Sequence, residues 1–297
     1  MRAGQQLNAE RPGLLWTPSR ATVERARITD YTRFLAHTRG LEFDGYGQPW
    51  EWSVRDLEAF WGSLWEYFAV RASSPYASVL ADRRMPGTRW FPGARLSYAE
   101  HVFAAKPDDA VALVHASELR ALAELTWAEL RAETARVAEG LRRLGVGPGD
   151  RVVAYLPNIA ETVTAFLACA SLGAIWSSCS PDFGVRAVVD RFAQIEPKVL
   201  IAADGYRYGG RDFDRTTELA RIQAGLPTLT HTVVVPYLGL PLALRGAVPW
   251  ASLGSAGAEL HCAQLPFAHP LWVLHTSGTT GSRSRSCTAR AASCSNI

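Results

Sequence analysis

From about residue 107 the chain falls into a regular alternation, and that rhythm limits its folds more than any other feature. AVALVH (110–115) is a short β-like run. TWAELRAETARVAEGLRRLG (126–145) follows, with Thr126 and Glu129 at the spacing of a capping box and Gly145 where a helix would stop. RVVAYLPN reads as a strand closed by Pro157, and IAETVTAFLACASLG as a mostly apolar, buried helix ending at Gly173. AIWSSCS is a second strand of this series. VRAVVDRFAQIEP is an amphipathic helix that uses Val185, Val188, Val189, Phe192 and Ile195 and stops before Pro197. KVLIAAD, a weaker helix over 212–224, HTVVVPYL and the apolar PLWVLH (270–275) complete the pattern. Strands alternating with helices of this length predict an α/β fold with a parallel sheet and helices on both faces. Ligands of such sheets bind beyond the carboxyl ends of the strands.

The first hundred residues have a different texture. Six of the ten tryptophans lie there: Trp16, Trp50, Trp52, Trp61, Trp65 and Trp90. WSVRDLEAFWGSLWEYFAV predicts a helix capped by Ser53, with Leu57, Phe60, Trp61, Leu64, Trp65 and Phe68 at helical spacing. That spacing favours a core-facing stripe over an aromatic ligand box. The division expected is a helical, aromatic-rich N-terminal region over 1–100, an incomplete parallel sheet over 101–281, and an aberrant tail over 282–297.

Charge and cysteine usage exclude several classes. The net charge of +3 resides in the tail: removing Arg283, Arg285 and Arg290 leaves 28 basic against 28 acidic residues. A neutral body has no broad attraction for nucleic acid or anionic membrane. Cys169, Cys179, Cys262, Cys287 and Cys294 form no CxxC pair and no zinc-like spacing with histidine, so no metal ligands are assigned. The pattern suits a reducing cytoplasm. MRAGQQLNAERPG has no apolar signal-peptide core, and VTAFLACASLGAIW is too short to span a bilayer.

Directly after the last strand comes TSGTTG, residues Thr276, Ser277, Gly278, Thr279, Thr280 and Gly281. Glycine permits positive φ and close approach of backbone amides to an anion, and four hydroxyls can donate to phosphate oxygens. The spacing is neither that of a P-loop nor that of a GxGxxG dinucleotide loop. A flexible linker is the other reading of six such residues. Their place after an apolar strand favours phosphate.

LWVLHTSGTTG resembles the phosphate-binding signature of the AMP-forming acyl-CoA synthetases and related adenylating enzymes. WSVRDLEAFWGSLWEYF and WFPGARLSYAEHVF resemble the N-terminal region of the acetyl-CoA and acetoacetyl-CoA synthetase branch. The long segment from GDRVVAYLPN to GGRDFDR is similar to the acetoacetyl-CoA synthetases, so the resemblance covers roughly 25–281. It implies a two-step ligation of acetoacetate: ATP and the acid give an acyl-adenylate and diphosphate, and the thiol of coenzyme A then displaces AMP, with Mg²⁺ assisting. It also implies that residues 276–281 cradle the ATP phosphates and that Arg207 and Arg211, in DGYRYGGR, lie near the coenzyme A phosphates. A solvated loop is the alternative for those two arginines. Acetate or propionate as the acid, and a non-catalytic nucleotide- or partner-binding role, remain open beside acetoacetate. No catalytic residue is assigned within the chain, because the family's catalytic lysine lies in a small C-terminal domain.

The tail departs from the family. A Pro-Lys pair and an apolar strand are expected after TSGTTG, but the chain reads SRSRSCTARAASCSNI, which offers no core face. Its codons, read with one base added in front, can give Leu-Pro-Lys-Pro-Ile-Val-His-Gly-Pro-Gly-Gly-Ile-Leu-Leu-Glu, which restores both features. Lys106 and Lys198 are the only lysines among 31 basic residues, a bias that fits GC-rich codons and favours the bases required. A lost base near codon 281–282 is the expectation, with a truncated, inactive product whose last strand presents a bare apolar edge.

Overall fold

The computed structural model describes residues 16–241, 243–275 and 285–289. The chain divides into two compact units, Met1–Ala69 and Val70–Ile297.

The first unit contains helices Arg20–Glu24, Arg27–Arg39, Gly47–Arg55 and Leu57–Tyr67. Ser53 does not cap the aromatic helix. It lies inside the third helix, its hydroxyl turned back on the Trp50 carbonyl at 2.7 Å, and Asp56 takes the cap by accepting from Ala59 N at 3.0 Å. A carboxylate three residues ahead outcompetes a serine that has a carbonyl of its own turn to bond. The aromatic stripe is packed largely by other aromatics. Tyr31, buried, stands edge-on to Phe60 and Tyr67 and shares a 2.6 Å hydrogen bond with Ser63. Trp52 and Trp61 both meet Phe60 edge-on.

In the second unit seven strands form one sheet: β1 (Arg151–Tyr155), β2 (Ile175–Cys179), β3 (Val199–Ala203), β4 (His231–Val235), β5 (Ala247–Pro249), β6 (Pro270–His275) and β7 (Arg285–Ala289). The spatial order is β5-β4-β3-β1-β2-β6-β7. All adjacent pairs are parallel except β6 and β7, which are antiparallel. Four helices accompany the sheet: α1 (Trp127–Arg143), α2 (Ala160–Leu172), α3 (Val185–Phe192) and α4 (Thr216–Ala224).

Strand periodicity sorts the core into two layers. Val152 and Ala154 of β1, with Val199 and Ile201 of β3, face α1 and α2 through Val137, Leu141, Ala165, Ala168 and Cys169. The intervening Val153, Tyr155, Leu200 and Ala202 face α3 and α4 through Val188, Phe192, Leu219 and Ile222. Connectivity requires this. The β1–α2–β2 crossover runs one way along the sheet and β2–α3–β3 runs back past β1, so right-handed connections place the two helices on opposite faces.

The helix ends follow the sequence signals. Thr126 Oγ1 accepts from Glu129 N at 3.2 Å, and the Glu129 carboxylate accepts from Thr126 N at 2.8 Å, which completes the capping box. Those bonds hold the Glu129 carboxyl below the usual range. At Gly173, φ is +78°, and a Cβ would lie 2.7 Å from Leu265 Cδ1, so both conformation and space call for glycine.

Three expectations change. The helix of 212–224 begins only at Thr216, because Arg211–Asp214 pairs with Gly205–Tyr208 as an antiparallel hairpin. Gly209 and Gly210, both at positive φ, make its turn. The run at 110–115 is a strand (Val111–His115), but it pairs with Ala123–Thr126 outside the main sheet. The last parallel strand is not left with a bare edge: β7, drawn from the tail, pairs with β6 along its length. Ladder hydrogen bonds come from backbone groups, so a segment without apolar periodicity can still supply them.

Candidate functional site

The register of the sheet brings four strand ends together. Tyr155 of β1 pairs with Cys179 of β2 and Ala202 of β3, and the Trp272–Trp176 pairing sets β6 parallel beside β2. The loops after Tyr155, Cys179, Ala203 and His275 therefore leave from one edge. β1 hands its chain to α2 on one face, whereas β2 and β3 hand theirs toward α3 and α4 on the other. This reversal is where open α/β sheets part their loops and bind ligands. Thr276, Ser277, Gly278, Thr279, Thr280 and Gly281 lie outside the described residues.

Tyr155 is fully buried, and its hydroxyl donates to the carbonyls of Pro181 and Phe183 at 2.7 and 2.8 Å, which ties down the loop after β2. Burial pushes this phenol up to about 12. Arg215 donates from Nε to the same Pro181 carbonyl at 2.9 Å and from its terminal nitrogens to Glu218 and to Tyr206 Oη. Arg191, largely buried in α3, lies 4.7 Å from the Phe183 ring. The loop beyond β2 is thus clamped by a phenol and two guanidinium groups.

Asp204, the first residue after β3, is completely buried. Its carboxylate accepts from the amides of Tyr237 and Leu238 at 2.8 Å and of Leu240 at 2.7 Å. One side chain thereby fixes the segment after β4 against the end of β3. Gly205 lets the two meet, since a Cβ there would lie 2.4 Å from Leu238 Cδ1.

His275 is the last described residue before the phosphate-loop sequence. Neither ring nitrogen has a hydrogen-bond partner among the described residues, although both are shielded from solvent. Burial lowers its pKa, and the charge of Arg191 adds to the effect, so the neutral imidazole is favoured. A neutral ring has one donor and one acceptor, and no described residue takes up either.

Arg207 and Arg211 stand on the Gly205–Asp214 hairpin rather than on an irregular loop. Arg207 makes a two-pronged pair with Asp212 at 2.6 and 2.9 Å, which raises the guanidinium pKa and lowers that of the carboxyl. Arg211 lies over the Phe213 ring at 6.0 Å. The pairing register sets Arg207 opposite Asp212 and Arg211 opposite Tyr208. Among the described residues no group of three or more His, Cys, Asp or Glu side chains could hold a metal ion. No helix among them is long and apolar enough to cross a membrane.

Residues 99–283 match the family model of the AMP-binding enzymes. The chain belongs to this family. A second match, over residues 46–102, is to the acetyl-coenzyme A synthetase N-terminus. The chain is 42% identical over 283 residues to the acetoacetyl-coenzyme A synthetase of Rhizobium meliloti, a match covering 93% of this chain and 42% of that one. It is 38% identical over 288 residues to the acetoacetyl-CoA synthetase of Rattus norvegicus, covering 90% and 42%. Among solved structures, the acetoacetyl-CoA synthetase of Streptomyces lividans superposes with a TM-score of 0.89 at 47% identity, covering 94% of this chain and 44% of that one. The chain thus spans about 42% of the length of the curated relatives it matches.

Tyr155, Asp204 and Arg215 were not singled out from sequence. Asp204 carried a signal: an acid directly after an all-buried strand, at the end where ligands bind. Tyr155 and Arg215 carried none, because their partners are carbonyls of a loop distant in sequence.

Proposed function

We propose that the chain represents an acetoacetate–CoA ligase, in a form itself inactive, whose reaction joins ATP, acetoacetate and coenzyme A to give acetoacetyl-CoA, AMP and diphosphate through an acyl-adenylate. The observation that carries this reading is the 47% identity and 0.89 TM-score to a protein of that name over 94% of the chain. Chemically, a carboxylate oxygen is a poor leaving group. Attack of the carboxylate on the α-phosphorus of ATP releases diphosphate and turns that oxygen into part of AMP, a good one. The thiolate of coenzyme A then adds to the activated carbonyl and expels AMP.

In this scheme Thr276, Ser277, Gly278, Thr279, Thr280 and Gly281 hold the triphosphate with amides and hydroxyls. Mg²⁺, when bound to the triphosphate, supplies charge neutralisation. His275 offers a neutral ring at the mouth of that loop. Tyr155, Arg191 and Arg215 keep the loop after β2 in place beside it, which is a contribution to positioning. Arg207 and Arg211 meet the phosphates of coenzyme A. Such small-molecule substrates suit a cytoplasmic location.

The test joins residues 1–281 to the remaining length of the Rhizobium meliloti relative and measures AMP release with a panel of acids. Acetoacetate should exceed acetate and propionate by more than tenfold in kcat/KM. Equal or better turnover of acetate sinks the choice of acid and favours the reading prompted by the match at 46–102. For residues 282–297 we infer a reading one base out of frame, in line with a family match that stops at 283. DNA sequence across codons 275–300 decides it: one added base must open a long frame that begins Leu-Pro-Lys.

A further inference from the structure

The tip of the Gly205–Asp214 hairpin is an anion site that the chain fills with its own side chain. Gly209 and Gly210 adopt φ of 60° and 72°, so their successive amides open toward one side as a nest. Glu118 occupies it: Oε1 accepts from Gly209 N at 2.7 Å and Oε2 from Gly210 N at 2.6 Å. The carboxylate arrives from the loop that joins Val111–His115 to Ala123–Thr126. That loop is anchored on either side of Glu118. Ser117 Oγ bonds Tyr237 Oη at 2.6 Å, and Arg120 pairs with Glu161 at 2.8 Å while lying 4.6 Å from the Tyr237 ring.

Two arginines flank the turn from opposite faces of the hairpin: Arg207, held by Asp212, and Arg211, across from Tyr208. Arg207 and Arg211 sit immediately before and after the Tyr208–Gly210 segment. The negative charge of Glu118 acts on Arg207 as well as on the amides. Two amides and two guanidinium groups suit a phosphate monoester, whose oxygens accept from both donor types. A carboxylate is a weaker version of the same ligand, with two oxygens rather than three and one charge rather than nearly two.

We propose that Glu118 is a displaceable internal anion of this site, and that a phosphate monoester on the ligand takes its place on the Gly209 and Gly210 amides between Arg207 and Arg211. The assignment of that ligand rests on the reading of these arginines as coenzyme A-facing. What is added is the residue that sets the affinity: Glu118 holds the hairpin ready in the free protein and must leave when phosphate binds.

The experiment compares the 297-residue chain with E118Q and E118A by amide hydrogen exchange and by calorimetry with coenzyme A and with dephospho-coenzyme A. In both variants exchange at Gly209 and Gly210 should quicken by about tenfold, from loss of charge-assisted bonds. Gly145 and Gly173, which close helices elsewhere, should not change. Coenzyme A should bind the variants at least threefold more tightly than the parent, while dephospho-coenzyme A, which lacks the monoester, should bind all three alike. Unchanged exchange at the two glycines overturns the latch. Faster exchange with equal or weaker coenzyme A binding overturns the displacement and leaves the proposed ligand standing. Failure of coenzyme A to bind any of the three proteins removes the ligand assignment of Arg207 and Arg211, and the displacement with it.

Discussion

Asp204→Ala should be the most damaging single change at the carboxyl edge of the sheet. Asp204 is fully buried and accepts three amide hydrogen bonds of 2.7–2.8 Å from Tyr237, Leu238 and Leu240. A hydrogen bond to a charged group contributes roughly 1.5–3 kcal/mol, but the gain is not additive and is offset by the cost of burying the carboxylate. Removing the carboxylate leaves three partly buried amides without their acceptor, at about 1–3 kcal/mol for one such group and less than additively for three, so about 3–5 kcal/mol in all. Asp204→Asn is milder: one oxygen can still serve Tyr237 and Leu238, while the new NH₂ faces the Leu240 amide, for a loss of about 1.5–3 kcal/mol. In urea, with a slope of roughly 2–3 kcal/mol/M, the alanine variant should lose about 1–2 M of midpoint. Amides 237–240 should exchange faster in both variants. A D204A midpoint within about 0.3 M of the parent would refute the reasoning, because the three bonds would then be exchangeable for water at no cost.

Tyr155→Phe removes the hydroxyl that donates to the Phe183 carbonyl and leaves Pro181 with Arg215 alone, and should cost about 1–3 kcal/mol in urea unfolding. In the parent, a phenol raised from 10 to about 12 keeps its full contribution below pH 10 and loses it as pH climbs toward 12. The phenylalanine variant should therefore show a smaller alkaline decline, and parallel pH curves would contradict this. At the acid end, burial lowers the pKa of both His101 and His275, so the neutral forms favour folding above about pH 6.5 and that contribution fades as pH falls. Urea midpoints should be lower at pH 5.5 than at 7.5, and H275Q should shrink the difference. Gly173→Ala forces a residue with a Cβ to φ +78° with Leu265 at 2.7 Å, for a loss of roughly 2–4 kcal/mol by thermal or urea melts.

Most of the second unit could be read from sequence because its signals are local. The capping box at Thr126 and Glu129, the stop at Gly173 and the all-buried run Val199–Ala203 each depend on residues within a few positions of one another. The failures share a cause. Whether 212–214 opens a helix or closes a hairpin turns on two adjacent positive-φ glycines and on Glu118, 91 residues away from Gly209. Ser53 lost its cap to Asp56 in a contest among nearby polar groups that favours neither on composition. Pairing of β7 with β6 is a backbone event, invisible to any pattern of side chains.

The candidate site divides in the same way, and the division says what kind of ligand it can take. TSGTTG stands out in the sequence because potential donors to phosphate are concentrated in six consecutive residues. Two of the parts missed are carboxylates, Asp204 and Glu118, each spent on backbone amides of another loop. Each marks a place where the loops beyond β3 and β4 turn their N–H groups inward, and where a negative charge is needed to satisfy them. At the deep position the acceptor is part of the fold itself, since Asp204 is fully buried. At the hairpin tip the amides are exposed and flanked by Arg207 and Arg211, so the same need can be met by a ligand phosphate instead. On the function proposed above, an edge whose backbone presents donors at several points, with its own carboxylates filling them, suits substrates that carry negative charge at more than one position.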